Sequence, residues 1–333
     1  MSANLGGIIP LNWRSLVDET LQRRKAEKMT QREHAALANV SIPTLAAFER
    51  GETTLSLAKA FDILRVVRLV DEPSEGSIQD TFVREAFTRW YALSSHLPRD
   101  SPGRFPHGWF RFDYYLEGDL KSVDLQDFEK LLKKEADTHH SRWSPFLVLH
   151  QPENKPYEVD RILECWLKPV KEGIYRDAAY SDFWRAAPSG RMFLMRGHKE
   201  DCAETFPPKS IFDTILPIVH MGEVLLHAER LAFILQKDTN KPITIHFRAL
   251  YSGLNGRILR AWANPFSNIL GEGRAARSDE ALLQTSIPAQ DISARLAEHL
   301  YPLASSLYEK FGVTEFSKDF VQAEVKRLLT KNA

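Results

Sequence analysis

The sequence predicts an α+β protein in which an all-α helix-turn-helix bundle is followed by a larger mixed α+β domain. The chain has 333 residues, which is long for one core and suits two domains. Apolar residues recur at helical spacing through the first 70 positions, whereas β-favouring and helical runs alternate from residue 109 onward. These observations together place a small helical domain before a larger mixed one.

The composition is that of a globular protein without cofactor signatures. Hydrophobic residues make up 43% and charged residues 26% of the chain, which argues against disorder. Cys165 and Cys202 are the two cysteines, and their spacing indicates neither a disulfide framework nor a zinc site. Since no targeting segment or apolar span is evident, we expect a cytoplasmic protein with no membrane partner. Because no cofactor-binding motif is found either, we expect no cofactor.

The charge distribution favours a nucleic-acid partner only near the N-terminus. The chain carries 44 basic and 44 acidic residues, so its formal net charge is zero. Residues 1–70 contain ten Lys or Arg against seven Asp or Glu. Because the DNA backbone responds to local rather than global charge, this weakly basic segment is compatible with a DNA-binding module.

Three helices are predicted before residue 52. The first is indicated by Trp13, Leu16, Val17 and Leu21 at helical spacing. The second begins after Thr30, which forms a capping box with Glu33. The third begins after Ser41, which is an N-cap residue followed by Pro43 in the first turn. Asn39 suits the left-handed backbone conformation that commonly follows the end of a helix, here the second, and Gly51 ends the third helix.

The segment TQREHAALANVSIPTLAAFERGETTLSLAKAFDILRVV resembles the lambda-repressor-like, XRE-type helix-turn-helix family. The resemblance covers about residues 13–70 and implies that the helix beginning at Ser41 is a recognition helix in the major groove of double-stranded DNA. Because one domain of this type reads few bases and buries little surface, we expect a homodimer on a palindromic site. The residues expected to contact DNA are Thr30, Gln31, Arg32, Ser41, Ile42, Pro43, Thr44, Ala46, Ala47 and Arg50.

The residues expected to face the groove are Ile42, Pro43, Thr44, Ala46 and Ala47, and they depart from the chemistry usual in that family. These five lack the Gln, Asn or Arg side chains that make bidentate bonds to adenine or guanine. Thr44 is therefore left to bond a base edge and Ile42, Pro43 and Ala47 to pack on thymine methyl groups, with further discrimination from DNA shape or a second subunit. His34 stands where the family usually has Leu, and we interpret it as a histidine at the edge of the core.

A linker is predicted over residues 71–108, between the domain at 1–70 and the domain at 109–333. Residues 71–76 are polar and contain both Pro and Gly, which indicates a boundary. Residues 81–93 form an aromatic amphipathic helix, for which core packing and dimerisation are equally plausible. Residues 96–108 are rich in Pro and Gly and are predicted to be a loop.

The C-terminal domain is predicted to be α+β. Strands are expected at residues 109–115, 145–149, 162–167, 191–196, 243–251 and 257–263, and helices at about 125–138, 212–236, 292–311 and 317–329. The last two of these strands are expected to pair as a hairpin around Asn255 and Gly256, since Asn-Gly supplies the positive φ angles of a tight turn.

A second candidate site lies in this domain. Arginines with neighbouring aromatic rings suit a small anionic or nucleotide ligand. The candidate residues are Trp184, Arg185, Arg191, Arg196, His198, Arg248 and Arg257. Paired surface arginines are the alternative interpretation, because this half of the chain also holds many acidic residues.

No metal or catalytic motif is predicted. His220, Glu223 and His227 share one face of a predicted helix and are weak candidates for metal ligands. We favour a solvated face of an amphipathic helix as their explanation. The sequence contains no dinucleotide fingerprint, P-loop, zincin or nucleophile-elbow motif.

These observations predict a sequence-specific DNA-binding transcriptional regulator whose C-terminal domain senses a ligand or mediates dimerisation. A C-terminal region of this size also allows a nucleic-acid-directed enzyme or defence effector that the helix-turn-helix domain positions. A third alternative is a protein-interaction adaptor that kept the fold without its DNA-binding role.

Overall fold

A computed structural model describes residues 12–70, 78–141, 143–148, 154–167, 181–202, 206–264 and 274–330. The chain divides into two compact units, residues 1–95 and 96–333. The first unit is helical and the second mixes helices with a large sheet, which confirms the predicted α+β class. The boundary predicted at residues 71–76 lies outside the described residues. None of the described helices is long and apolar enough to cross a membrane.

The first unit contains five described helices. They are α1 (Trp13–Ala26), α2 (Gln31–Leu37), α3 (Ile42–Glu49), α4 (Leu57–Val66) and α5 (Ile78–Ser94). Asn12, Thr30, Ser41 and Ser56 cap the first four of them, each accepting a hydrogen bond from a backbone N–H in the first turn. Val17, Leu45, Phe48, Ile63 and Leu64 form a core between these helices.

Helix α5 contains the aromatic amphipathic pattern seen in the sequence. The structure groups it with the first unit, where it packs against α2, rather than leaving it in a separate linker. The Tyr91 hydroxyl of α5 donates to the Glu27 carbonyl at 2.9 Å. Phe82, Phe87 and Trp90 are buried, which favours core packing over an exposed dimerisation surface for this face.

The second unit is built on a seven-stranded antiparallel sheet. Its strands are β1 (Trp109–Glu117), β2 (Tyr157–Val159), β3 (Ile162–Leu167), β4 (Asp182–Ala187), β5 (Arg191–Gly197), β7 (Thr244–Ser252) and β9 (Glu280–Pro288). They lie in the order β2-β3-β4-β5-β1-β7-β9. Two short strands, β6 (Ile211–Asp213) and β8 (Ile258–Arg260), form a separate parallel pair.

Four described helices belong to this unit. They are α6 (Leu125–Ala136), α7 (Leu216–Leu235), α8 (Ile292–Glu309) and α9 (Lys318–Thr330). Helix α7 packs against β1 and β7, and α8 and α9 pack against α7. One face of the sheet, with Phe112, Leu194 and Phe247, therefore joins these helices in the main hydrophobic core.

Two predictions about the strands are wrong. Residues 145–148 form no strand, and the predicted strand at 243–251 does not pair with residues 257–263. Strand β7 pairs instead with β1 and β9, while β8 pairs with β6. Because β1 and β9 occupy both edges of β7, residues 257–263 cannot pair with it. Gly253, which follows β7 at φ +73°, lies against the backbone of His107 and Gly108, where a side chain would not fit.

Four strands were not predicted: the short strands β2 and β6, and the longer strands β4 and β9. Strand β4 is buried on both faces, so the alternation of apolar and polar residues that identifies a strand is missing. Strand β9 contains Ala281, Gln284 and Ser286, which have weak strand preference. In both of these longer strands the pairing with neighbouring strands determines the structure.

Candidate nucleic-acid interface

Helices α2 and α3 form the predicted helix-turn-helix with its caps in place. The Thr30 hydroxyl accepts from the Glu33 backbone N–H at 3.1 Å, and the Glu33 carboxylate accepts from the Thr30 N–H at 2.7 Å. Asn39 adopts the left-handed conformation, with φ +52°, that ends α2. Both helix boundaries predicted from these residues are confirmed, because each depends on local hydrogen bonds.

The buried side of α3 fixes the helix against the rest of the unit. Leu45 and Phe48 are fully buried. The ring of Trp13 packs edge-on against Phe48 with centroids 5.1 Å apart, and its indole N–H donates to the Gly51 carbonyl at 3.1 Å. The opposite side of α3 is therefore held at a fixed orientation.

The ten residues predicted to contact DNA lie outside the core of this unit. Pro43 and Arg50 are exposed, and the remaining eight are half-buried. The side chains of the first turns of α3 are small and mostly apolar. The Thr44 hydroxyl shares a hydrogen bond of 2.8 Å with the Ser41 hydroxyl, which orients the one polar side chain among the groove-facing residues.

A network of side chains that was not evident from the sequence joins α1, α2 and α3. The Glu49 carboxylate accepts from the Gln31 amide at 2.8 Å and pairs with Arg24 at 2.8 Å. One of the two N–H groups of the Gln31 amide is thus used inside the protein. Glu49 lies in the quoted segment that resembles the family, but its partners become apparent only from the folded arrangement.

His34 lies in the core, as the interpretation of it as a core-edge histidine anticipated. Its side chain is fully buried, and its Nε2 atom lies 3.0 Å from the Ile63 carbonyl oxygen in α4. Burial lowers the pKa of His34 from 6.5 to about 4, although the hydrogen bond to Ile63 opposes that shift. The imidazole is therefore neutral at physiological pH.

The structure does not gather the seven candidate ligand residues into one place. Arg185 and Arg248 lie on a cross-strand row with Glu164, Phe193 and Asp113, which we call the charged row. Arg185 pairs with Glu164 at 3.3 Å, and Arg248 pairs with Asp113 at 2.7 Å. The acidic partners were not recognised from sequence because they lie on other strands.

Trp184 and Arg196 lie on the opposite face of the sheet from the charged row. The Trp184 indole donates to the Leu147 carbonyl at 2.9 Å. Arg196 pairs with Asp182, and its guanidinium lies 5.0 Å from the ring centroid of Trp143. Arg191 bonds to the neighbouring Ser189 hydroxyl. A ligand role for these residues stays a prediction, since the described contacts are all within the chain.

Arg257 is fully buried and has a complete set of partners. Two of its nitrogens bind the two carboxylate oxygens of Asp201, each at 2.7 Å. Its guanidinium also donates to the carbonyls of Gly253, Ile211 and His107. Arg257 thereby connects the end of β7 to three other segments. His198 belongs to the same region, with its Nε2 atom 2.8 Å from the Ser252 carbonyl oxygen.

The interpretation of His220, Glu223 and His227 as a solvated face is wrong. All three side chains are buried, because α7 is covered on more than one side. Glu223 accepts hydrogen bonds from the backbone N–H groups of His140 and Ser141. His220 stacks on Trp143 with centroids 4.3 Å apart.

These three residues also have separate roles in packing. The Nδ1 atom of His227 lies 2.9 Å from the Tyr114 hydroxyl, while Glu223 holds the loop at 140–141. Within the part of the chain that the structure describes, no group of three or more His, Cys, Asp or Glu side chains could hold a metal ion. Burial lowers the pKa of His227 to about 3, so its ring is neutral.

A buried acidic pair lies beside the start of α7. The Asp213 carboxylate accepts from the backbone N–H groups of Ile215, Leu216, Trp262 and Ala263 at 2.7–2.8 Å. Glu200 accepts from the Asp213 N–H at 2.8 Å, and burial raises the pKa of Glu200 to about 7. Asp213 uses both oxygens to join two chain segments, which is a structural role.

Comparison with known proteins identifies only the N-terminal region. Residues 21–71 match the family model HTH_3, described as Helix-turn-helix. No curated protein and no solved structure matches the chain. The matched segment contains α2, α3 and α4. The match supports a DNA-binding regulator in general terms, as a property of the family. Residues 21–71 of this chain are therefore an XRE-type helix-turn-helix domain.

Proposed function

We propose that this protein is a sequence-specific DNA-binding transcriptional regulator that acts as a homodimer through its second unit. The main support for this proposal is the structure of α3, which is capped by Ser41 and anchored in the core by Leu45 and Phe48. The other side chains of its first turn are exposed or half-buried. Helices held in this way present their first turns to base edges in the major groove.

The chemistry of this surface suggests how the protein recognises its site. Ile42, Pro43 and Ala47 offer methyl and ring surfaces to thymine methyl groups, and Thr44 offers the hydroxyl. Because bidentate contacts are lacking among these residues, we propose that one domain discriminates weakly. Specificity then depends on DNA shape and on two domains binding two half-sites.

Phosphate contacts are proposed for the residues around this surface. Thr30, Gln31 and Arg32 stand at the start of α2, where their polar or cationic side chains lie at the border of the proposed surface. Arg50 is exposed just after α3. Such contacts fix the orientation of a protein on the duplex without reading its sequence. We therefore expect affinity to fall as the salt concentration rises.

Thr44→Glu is expected to weaken specific DNA binding by about tenfold or more, because one lost base contact typically costs about 1–3 kcal/mol and the new carboxylate faces the phosphates. The measurement is fluorescence anisotropy with duplexes that cover the DNA upstream of the protein's own gene, repeated across a salt series. A circular dichroism melt of each variant establishes that the helices are intact.

Thr88→Glu is the matched control. Thr88 is exposed on α5, so the substitution and the charge change are the same at a helical position outside the proposed surface. Equal affinities for the Thr44→Glu variant and the wild type would refute α3 as the DNA-reading helix. Binding to no duplex at any salt concentration would favour the adaptor alternative.

A further inference from the structure

The sheet of the second unit ends on one side at an unusually open edge. Strand β9 has nine residues, and its neighbour among the described strands is β7. The opposite edge strand, β2, has three residues. An edge strand presents unpaired backbone N–H and C=O groups, so a long edge is a template for another strand.

Strand β9 lacks the features that usually protect such an edge. Its register with β7 runs from Thr244 opposite Pro288 to Ser252 opposite Glu280 without a slip, so it contains no bulge. Between Ala281 and Ile287 the strand has neither a charged residue nor a proline. Proteins that keep an edge free normally use these devices, so their absence along β9 points to an occupied edge.

Side chains on the outer face of β9 support the same conclusion. Leu282 is 58% exposed, and Gln284 and Ser286 next to it are also exposed. Ala281, Leu283 and Ile287 point the other way and belong to the main core. The strand thus has an apolar inner face and an outer face that is uncharged from Leu282 to Ser286, and among the described strands only β7 pairs with it.

We propose that β9 pairs antiparallel with β9 of a second copy, which joins two seven-stranded sheets into one across a two-fold axis. This inference rests on the proposed homodimeric function and names the surface that forms the dimer. A two-fold interface must be complementary to itself, and two identical strands in antiparallel orientation meet that condition.

The sequence of β9 fits this pairing in one register. Pairing all nine residues places Gln284 opposite the Gln284 of the partner subunit and Leu282 opposite the partner's Ser286. Residues opposite each other then point to the same face, so the apolar inner positions of both copies are continuous. Glu280 is the one charged residue of the strand, and it lies opposite the partner's Pro288, so no like charges meet.

Gln284→Glu tests the interface at its axis. The substitution brings two carboxylates together across the dimer, which is unfavourable for directly opposed residues. Within one copy it places a carboxylate opposite Arg248, so folding is not weakened. Sedimentation equilibrium is expected to show a dimer for the wild type and a dissociation constant raised about two- to fivefold for the variant, because one cross-strand pair is worth up to about 1 kcal/mol.

Gln126→Glu is the matched control for charge. Gln126 is exposed on α6 in the same unit, and its replacement is expected to leave the dissociation constant unchanged. A wild type that stays monomeric across the concentration range, or a Gln284→Glu variant that dimerises as the wild type does, would overturn the proposal.

Cysteine cross-linking tests the register separately. Residues directly opposite in an antiparallel pair have Cα atoms about 4.5–5.5 Å apart, which is within the range of a disulfide. Gln284→Cys is expected to give an oxidised dimer that dithiothreitol reverses. In this register Ser286 does not lie opposite the Ser286 of the partner subunit. The Ser286→Cys variant is therefore expected to form no more oxidised dimer than the wild type, which contains Cys165 and Cys202. Equal cross-linking of the two variants would refute this register.

DNA binding distinguishes failure of the interface from failure of the proposed function. Gln284→Glu is expected to weaken binding to a duplex with two half-sites while leaving binding to a single half-site unchanged. Thr44→Glu is expected to weaken both and leave the dimer intact. If wild-type DNA binding is specific but the chain is monomeric, the β9 interface is wrong and the DNA-binding proposal stands.

Discussion

Asp201→Ala is expected to lower the unfolding free energy of the second unit by about 3–5 kcal/mol, the range for removing one partner of a buried ion pair. The effect on Arg257 is expected to be large, because its guanidinium is fully buried and Asp201 supplies two of its five hydrogen bonds. The cation would remain buried, with only carbonyl groups as acceptors. A cation left in that state is far more costly than a lost surface contact.

The measurement is hydrogen exchange by mass spectrometry on peptides from residues 206–264, which reports the stability of the region around Arg257. Glu298→Ala is the control, because Glu298 pairs with Arg295 on the surface of α8, where both side chains are more than half exposed. We expect the control to change stability by less than about 1 kcal/mol. Similar effects of the two substitutions would show that the Asp201 pair is not a structural anchor.

Acidification is expected to destabilise the first unit through His34. The folded protein holds the pKa of His34 at about 4, whereas the ordinary pKa of a histidine, which applies to the unfolded chain, is 6.5. The unfolded chain therefore takes up the proton first as the pH falls. Stability is fully present above pH 6.5 and is lost progressively as the pH falls toward 4, by about 3.5 kcal/mol in total at about 1.4 kcal/mol per pKa unit.

His34→Leu is expected to remove most of this pH dependence. Leucine is the residue that the family pattern has at this position, and it replaces a buried imidazole with an apolar side chain. At pH above 7 the variant loses the hydrogen bond to Ile63, so we expect its stability to change by less than about 1.5 kcal/mol.

The test compares wild type and His34→Leu by hydrogen exchange of residues 31–70 between pH 4.5 and pH 7.5, after correction for the intrinsic pH dependence of exchange. His34 is the one histidine in residues 1–95, so no other imidazole in this unit contributes to the difference. An equally steep loss of stability in the variant would contradict the assignment to His34.

Local signals were sufficient for the helix-turn-helix. Thr30, Glu33, Asn39 and Ser41 were assigned to caps and turns from sequence, and the structure has each of them in that role. Capping boxes and left-handed exits are decided by residues within a few positions of one another. The Glu49 network was missed because it joins three helices.

The second unit was predictable only in outline. Arg185 and Arg248 were noticed as charged residues near aromatic rings, but their partners Glu164 and Asp113 lie on strands distant in sequence. The hairpin at Asn255 and Gly256 had the right local signal, yet β7 pairs elsewhere. Strand pairing is a long-range property, so turn residues can indicate a turn without determining which strands it joins.

The sequence by itself determined the α+β class, the position of the helix-turn-helix and the start of α3, because these depend on composition, periodicity and short-range hydrogen bonds. The tertiary structure alone decided that β9 ends the sheet, that α7 is buried with Glu223 inside, and that Arg257 is neutralised by Asp201. Those features arise from contacts between segments far apart in the chain, and no local pattern of residues encodes which segments meet.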